Sequence, residues 1–398
     1  MRWLFGLFDH SAGRSRRRRW LLAAASAVLV GVGAAGGLTV GPLLGATVAE
    51  AASPQPIEVP IYHRTTGGKR NFLIYVGVGG GPLNPYLFDT GSPAMYSTYG
   101  KWWPGHTTLV DAIGEKKITY ADGTVYHYDG VRTAVSLGTR DGTVIVTAPK
   151  ARIGRITNAD EQTPAVSFHA WAENVRDGET PFMSDDTYGN FGAGLHGDPH
   201  FGTVLSQVPI DRGLRRGFVV MSGGRTARQG TLVVGLTEEL IAQFRWRLPM
   251  TPTGRELPAP LGASHGAPGY RKAQVANTVV RLARDDARWQ DVIPTVFDTG
   301  GGDGTWAYGA EPPADFVKGH QSYGRARVGT DFSLEYAGRP ILAYASGSKP
   351  AGNILGFIEE ARKDLRINPG ILMFYTYDVM FDLDDGFIGL RPATVSAE

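Results

Sequence analysis

From residue 57 to about 393 the chain is a succession of short apolar runs, each cut by Gly, Pro or Asp. Runs of this length, rich in Val, Ile, Tyr, Phe and Thr, carry the signature of β-strands rather than of helices. Strands are predicted at 70–78, 85–88, 124–135, 143–148, 275–282, 294–297 and 378–383. Segments 217–222 and 231–235 predict a hairpin across the glycine-rich turn at 223–230. The run Gly77-Val78-Gly79-Gly80-Gly81 has the composition of a phosphate loop. Pro82 and a strand follow it where a helix is required, so it predicts a hairpin turn instead. Helices are expected only at 237–244 and 358–367. In the second, Glu359 and Glu360 lead while Arg362, Lys363 and Arg366 trail, the order that suits the helix dipole. The stretch 249–270, rich in Pro, Gly and Ala, predicts the connection between two halves.

The chain also repeats itself. Tyr86-Leu87-Phe88-Asp89-Thr90-Gly91 recurs as Thr295-Val296-Phe297-Asp298-Thr299-Gly300, 209 residues later. Each copy is followed by a polar–apolar–glycine segment, Asn190-Phe191-Gly192 in the first and Asn353-Ile354-Leu355-Gly356 in the second. A repeat of domain size points to a duplicated β-lobe rather than a solenoid.

An Asp at the end of an apolar strand is an expensive placement unless the carboxylate is hydrogen-bonded or shares a proton. Gly91 and Gly300 let each turn close tightly and bring backbone N–H groups to the carboxylate. If the two loops meet, Asp89 and Asp298 cannot both ionise, and the pair titrates as a unit around one shared proton. Such a pair supplies a base and an acid together. One Asp-Thr-Gly alone is an ordinary turn sequence, whereas two at lobe spacing after matching apolar runs are not.

Over nearly all of residues 57–393 the sequence resembles the pepsin-like family of bilobal aspartic proteases, and the absence of cysteine makes it more similar to bacterial members. The resemblance implies an all-β fold of two duplicated lobes around a central active-site cleft, with no metal or cofactor. It casts 52–250 as an N-terminal lobe carrying a flap and 251–398 as a C-terminal lobe. Asp89 and Asp298 would be catalytic. The segment from Ile118 to Thr124 is similar to the flap hairpin, with Tyr120 closing over substrate, Asp122 at the tip, and Tyr96 bonded to Tyr120. Gly91 and Gly300 would also face substrate. Thr90 and Thr299 would bond across the lobes, and Ser92 would bond Asp89. Three departures stand out: Gly301 occupies a place where the family usually has Ser or Thr, Ala121-Asp122 stands where flap glycine is common, and only a few residues separate Ala51 from the first strand near Ile57, which leaves no room for the family's basic inhibitory propeptide. Losing a hydroxyl at 301 should favour protonated Asp298, making it the proton carrier of a dyad active at milder pH than pepsin. The implied activity is aspartic endopeptidase; the alternative is a catalytically inactive binding protein on the same fold at the cell surface.

Composition narrows the setting. Hydrophobic residues make up 42% and charged residues 20% of the 398, with 54 Gly, 25 Pro and no Cys, so disulfides and thiolate sites are excluded. Arg14 and the run Arg16-Arg17-Arg18-Arg19 precede 29 residues, from Leu21 to Ala49, without a charge, then Ala49-Glu50-Ala51. That order predicts an export signal over 1–51, its arginine run loosely resembling a twin-arginine signal, with an uncleaved anchor as the competing reading. The segment holds six Lys/Arg against two Asp/Glu, so its removal takes the body from +2 to −2. A near-neutral body makes no electrostatic case for nucleic acid or membrane as partner. The expected partner is a protein or peptide substrate of an exported monomer.

The remaining signals read as structure. His196, Asp198 and His200 lack further ligands at a supporting spacing and predict a polar loop, not a metal site. Trp102 and Trp103 predict packing, His127 a surface strand position and Asp303 a loop acid. Ser92 lies outside any Gly-x-Ser-x-Gly elbow.

Overall fold

The apolar runs become strands because each side chain finds a buried slot on alternate faces of a sheet, or on both faces where the run is continuous. The computed structural model describes residues 53–394 apart from 67–68, 101, 111–115, 121–123, 161–186, 197–200, 321–322, 349–352 and 359–364. Within it the chain is nearly all β, as the sequence pattern predicts. The long hairpin Val125–Gly138 and Val144–Ala159 shows the alternation most plainly, its first strand burying every second side chain over most of its length.

Two halves of matching topology hang from one central sheet. Its strands run in the order Ile57–Thr66, Gln229–Leu236, Arg215–Met221, Tyr377–Asp382, Phe387–Pro392 and Trp246–Glu256, every neighbour antiparallel. The middle pairing, Val219 opposite Met380, joins the closing hairpin of the first half to that of the second. Phe218 stacks on Phe381 across it with ring centres 4.7 Å apart. Burying a Phe contributes about 2–3 kcal/mol, so this seam holds the halves as one hydrophobic body.

Inside each half the strand leading to an Asp-Thr-Gly triplet lies between two partners in the same senses. Asn84–Asp89 is antiparallel to Lys69–Val78 and parallel to Gly189–Gly192. Thr295–Val296 is antiparallel to Pro268–Val275 and parallel to Arg366–Asn368. Phe88 and Phe297 are completely buried, which fixes the depth at which each aspartate emerges. A separate four-stranded sheet, ordered Ala287–Val292, Val279–Arg284, Asp331–Tyr336 and Arg339–Ala345, covers the second half.

The short helix Glu238–Ala242 forms where 237–244 predicts one, capped by Thr237, whose side chain accepts from the Leu240 N–H. The predicted helix at 358–367 does not form at either end. Leu355–Ile358 and Arg366–Asn368 are strands, both paired with Thr305–Tyr308, while 359–364 lie outside the described residues. Sheet pairing of buried Phe357 and Ile367 outweighs a favourable order of surface charges. The predicted connection at 249–270 is largely a hairpin, Trp246–Glu256 against Pro268–Val275, with only 257–267 between the strands. The predicted strand 275–282 is broken by Asn277 at φ 58, and Val279–Arg284 starts a new sheet. Gly79 (φ 62) and Gly80 (φ 78) make the turn expected of the glycine run, and Trp103 packs against Gly79 so closely that a Cβ there would lie 2.5 Å from its ring. Among the described residues no helix is long and apolar enough to cross a membrane. The proposed signal over 1–51 lies outside those residues.

Candidate active site

The two triplets meet at the junction of the halves. Thr90 and Thr299, both fully buried, bind each other's loops reciprocally. The Thr90 N–H donates to Thr299 Oγ1 at 3.0 Å and the Thr299 N–H to Thr90 Oγ1 at 3.0 Å. The Thr90 hydroxyl donates to the Phe297 carbonyl at 2.7 Å, and the Thr299 hydroxyl to the Phe88 carbonyl at 2.7 Å. Four buried bonds with twofold symmetry therefore set the spacing of the loops.

The glycines make the approach possible. A Cβ on Gly91 would lie 2.4 Å from Cγ of Asp298, and one on Gly300 would lie 2.6 Å from Cγ of Asp89. Each carboxyl group thus rests on the other loop's glycine, in space that any side chain would fill. The two carboxyl groups lie close enough for each to influence the other's ionisation.

Their surroundings differ. Asp89, buried, accepts the Gly91 N–H at 2.8 Å and the Ser92 N–H at 3.1 Å on Oδ1. Its Oδ2 accepts the Ser92 hydroxyl at 2.6 Å and the Asn190 amide at 2.7 Å. Asp298 accepts the Gly300 N–H at 2.7 Å on Oδ1 and the Asn368 amide at 2.6 Å on Oδ2. Two donors against four leave Asp298 the less stabilised as an anion. Burial first, and the neighbouring Asp89 carboxylate second, push it up to about 8. A carboxyl group whose pKa is raised toward neutrality, beside one that accepts four hydrogen bonds, forms a pair able to offer an acid and a base together.

Position 301 offers no hydroxyl to Asp298, which keeps the Asn368 amide, whereas Asp89 has the Asn190 amide together with the Ser92 hydroxyl. Asn190 lies in the polar–apolar–glycine segment noted in the sequence, but the contact of Asn190 and of Asn368 with an aspartate is not visible there, because each reaches it only through strand pairing, 101 and 70 residues away in the chain. Asn353, matched to Asn190 by sequence pattern, instead donates to the Ser348 hydroxyl at 2.8 Å.

Tyr120 and Tyr96 fall in one aromatic cluster with Tyr126, Tyr128, Ile156 and Phe201. Tyr120 follows the strand Lys116–Thr119, which pairs with Val125–Gly138, and its ring meets Tyr126 edge-on at 5.8 Å. Tyr96 is buried, edge-on to Tyr128 at 4.9 Å. Asp122 lies outside the described residues, as do Asp198 and His200. Among the described residues no group of three or more His, Cys, Asp or Glu could hold a metal. His127 sits on its strand 2.7 Å from Asp160, part-exposed, and both Trp102 and Trp103 are buried. Asp303 is part-buried, its Oδ2 3.8 Å from Arg70 Nε, and this burial raises its pKa.

No protein-family model matches the chain, and no curated protein matches it. Among solved structures the chain is similar to an aspartic proteinase from Irpex lacteus, at 14% identity and a TM-score of 0.49, over 86% of this chain and 99% of that one. It is also similar to Basic 7S globulin from soybean, at 11% identity and a TM-score of 0.51, over 86% of this chain and 96% of that one. Identities this low speak for the fold alone. The second likeness, with the two equivalent halves joined by one sheet, gives the chain the bilobal pepsin-like aspartic proteinase fold.

Proposed function

We propose that this chain is an aspartic endopeptidase, with Asp89 and Asp298 activating a water between them. The observation that carries the reading is the mutual packing of each carboxyl group on the other loop's glycine; burial and the neighbouring Asp89 raise the Asp298 pKa to about 8, which favours a single shared proton. A hydrogen-bonded pair with one proton can take a proton from water on one side while giving one to the scissile carbonyl on the other. The product of that step is a neutral tetrahedral diol, formed with no net change in the pair's charge. Collapse of the diol then passes the proton to the leaving amine and regenerates the single-proton pair. The substrate is an extended peptide held by main-chain contacts under the hairpin that bears Tyr120, each lobe supplying one carboxylate.

The deciding measurement is hydrolysis of an unfolded protein substrate from pH 3 to 7, with and without pepstatin, by protein lacking residues 1–51. Cleavage blocked by pepstatin is expected, with D89N and D298N each reduced by about a thousandfold or more. Wild type no more active than D89N at every pH would overturn the reading and favour a binding protein on the same fold. We further propose that 1–51 directs export; N-terminal sequencing of the exported form, starting near residue 52 if the signal is removed, tests this.

A further inference from the structure

Asn190 and Asn368 occupy one and the same place in the two halves. Asn190 lies opposite Leu87, two residues before Asp89, and opposite Tyr96 on its other side. In the second half Thr295 lies opposite Ile367, which brings Val296, two residues before Asp298, level with Asn368. Trp306 faces Asn368 from the other side, as Tyr96 faces Asn190. Both begin an Asn-x-Gly segment, Asn190-Phe191-Gly192 and Asn368-Pro369-Gly370. Both are buried, at 2% and 6% exposure, and both aim Nδ2 at Oδ2 of their aspartate.

The symmetry breaks at the next shell in a telling way. In the first half the Ser92 hydroxyl also reaches Asp89 Oδ2, and Asn190 Oδ1 is buried without a hydrogen-bond partner. In the second half position 301 is glycine, and a Cβ there would lie 2.8 Å from Asn368 Oδ1 and 2.9 Å from Nδ2. The Gly370 N–H donates to Asn368 Oδ1 at 2.9 Å, which fixes the amide with its NH₂ toward Asp298. An orphaned amide oxygen beside Asp89 and a locked one beside Asp298 mean that the Asn368 amide is the one built to orient its carboxyl group.

We propose that Asn368 is the positioning residue of Asp298, the side-chain amide that remains where position 301 offers no hydroxyl, with Asn190, which shares Asp89 Oδ2 with Ser92, as its less constrained twofold counterpart. The proposal rests on the endopeptidase reading for its consequence in catalysis, though not for its geometry. The amide nitrogen is a pure donor, so it favours the ionised carboxylate and cannot itself take the shared proton. The charged group acting on Asp298 is Asp89, while Asp303, five residues on, is turned to Arg70. In the first half the Ser92 hydroxyl and the Asn190 amide share Asp89 Oδ2, whereas a Cβ at 301 would press on the Asn368 amide as it stands, so the hydroxyl is introduced together with a small residue at 368.

The test compares wild type with N368L, which keeps the branched shape and loses the donor, and with G301S/N368A, which exchanges amide for hydroxyl. Two readouts are needed. In the pH profile of proteolysis N368L should lose about tenfold or more in kcat with KM within about threefold. Its alkaline limb should move up by about one pH unit, because the ionised form has lost a donor. G301S/N368A should recover most of both. The second readout, the titration of ¹³C-labelled Asp carboxyls with D298N for assignment, needs no activity and should show the same upward move. A role in packing alone lowers kcat without moving the limb or the titration and is not repaired by the exchange; that result overturns the proposal. If wild type cleaves nothing yet the carboxyl titration moves as expected, the endopeptidase reading falls and the role of Asn368 stands. Should N368L fail to fold, N368A carries both readouts.

Discussion

At the scale of single residues the site is governed by what is missing from side chains. Gly91 and Gly300 are required because the opposite carboxyl group already fills the place of a Cβ. We expect G91A to push Asp298 off its position, destabilising the protein by about 1–3 kcal/mol and lowering kcat by at least a hundredfold. G300A should act alike on Asp89, and denaturant unfolding with steady-state kinetics reads both. An active, equally stable G91A would show that the loops stand further apart than described. These glycines were legible in the sequence because each lies within two residues of its own aspartate and the motif is local. Ser92 was legible for the same reason. The two asparagines were not, since nothing near residue 190 or 368 announces which strand will lie alongside. The sequence pattern even matched Asn190 to Asn353, which the second half uses in a loop contact instead.

Strand pairing decides matters at the scale of elements. The charge order over 358–367 argued for a helix, yet Ile367 and Phe357 are pinned by neighbours that lie dozens of residues away, and a local rule cannot see them. The 231–235 strand and its hairpin partner were legible because their turn is glycine-rich and their apolar runs are continuous. What was not legible is that this hairpin pairs with the C-terminal one. That seam carries a testable ion pair. Asp382 is fully buried at its end and Arg215 donates to both its oxygens, at 3.2 and 3.0 Å. Burial raises the Asp382 pKa, and the guanidinium counteracts it. R215A leaves a buried carboxylate without its cation and should cost about 3 kcal/mol near neutral pH. Because the acid can then take up a proton, the loss should shrink toward pH 4. Urea midpoints of wild type and R215A at pH 4 and pH 7 check this, and an equal loss at both pH values would mean the pair is not the cause.

The whole molecule inherits an unusual dependence on pH from its buried acids. Asp298 is pushed up to about 8 by burial and by Asp89, and Asp303, Asp378 and Asp382 are all raised, burial being the leading cause in each. A carboxyl group whose pKa in the fold lies above its unfolded value near 4 stabilises fully below pH 4. That contribution is lost as pH rises through the folded value. Each unit of difference is worth about 1.4 kcal/mol, so Asp298 alone changes stability on the order of several kcal/mol between pH 4 and 8. His63 works the other way: burial lowers its pKa, so its contribution is present above about pH 6.5 and lost as pH falls below it. One partly buried ring is outweighed by four acids of the same sign, the largest shift among them belonging to the dyad. Since one sheet joins both halves and Thr90 and Thr299 tie their loops, the loss should appear in a single cooperative transition. Calorimetry should therefore show one peak whose midpoint falls steadily from pH 4 to pH 8, with a slope clearly reduced in D298N. A midpoint that rises over this range, or a slope unchanged in D298N, would place the shared proton elsewhere than on the pair at the centre of the fold.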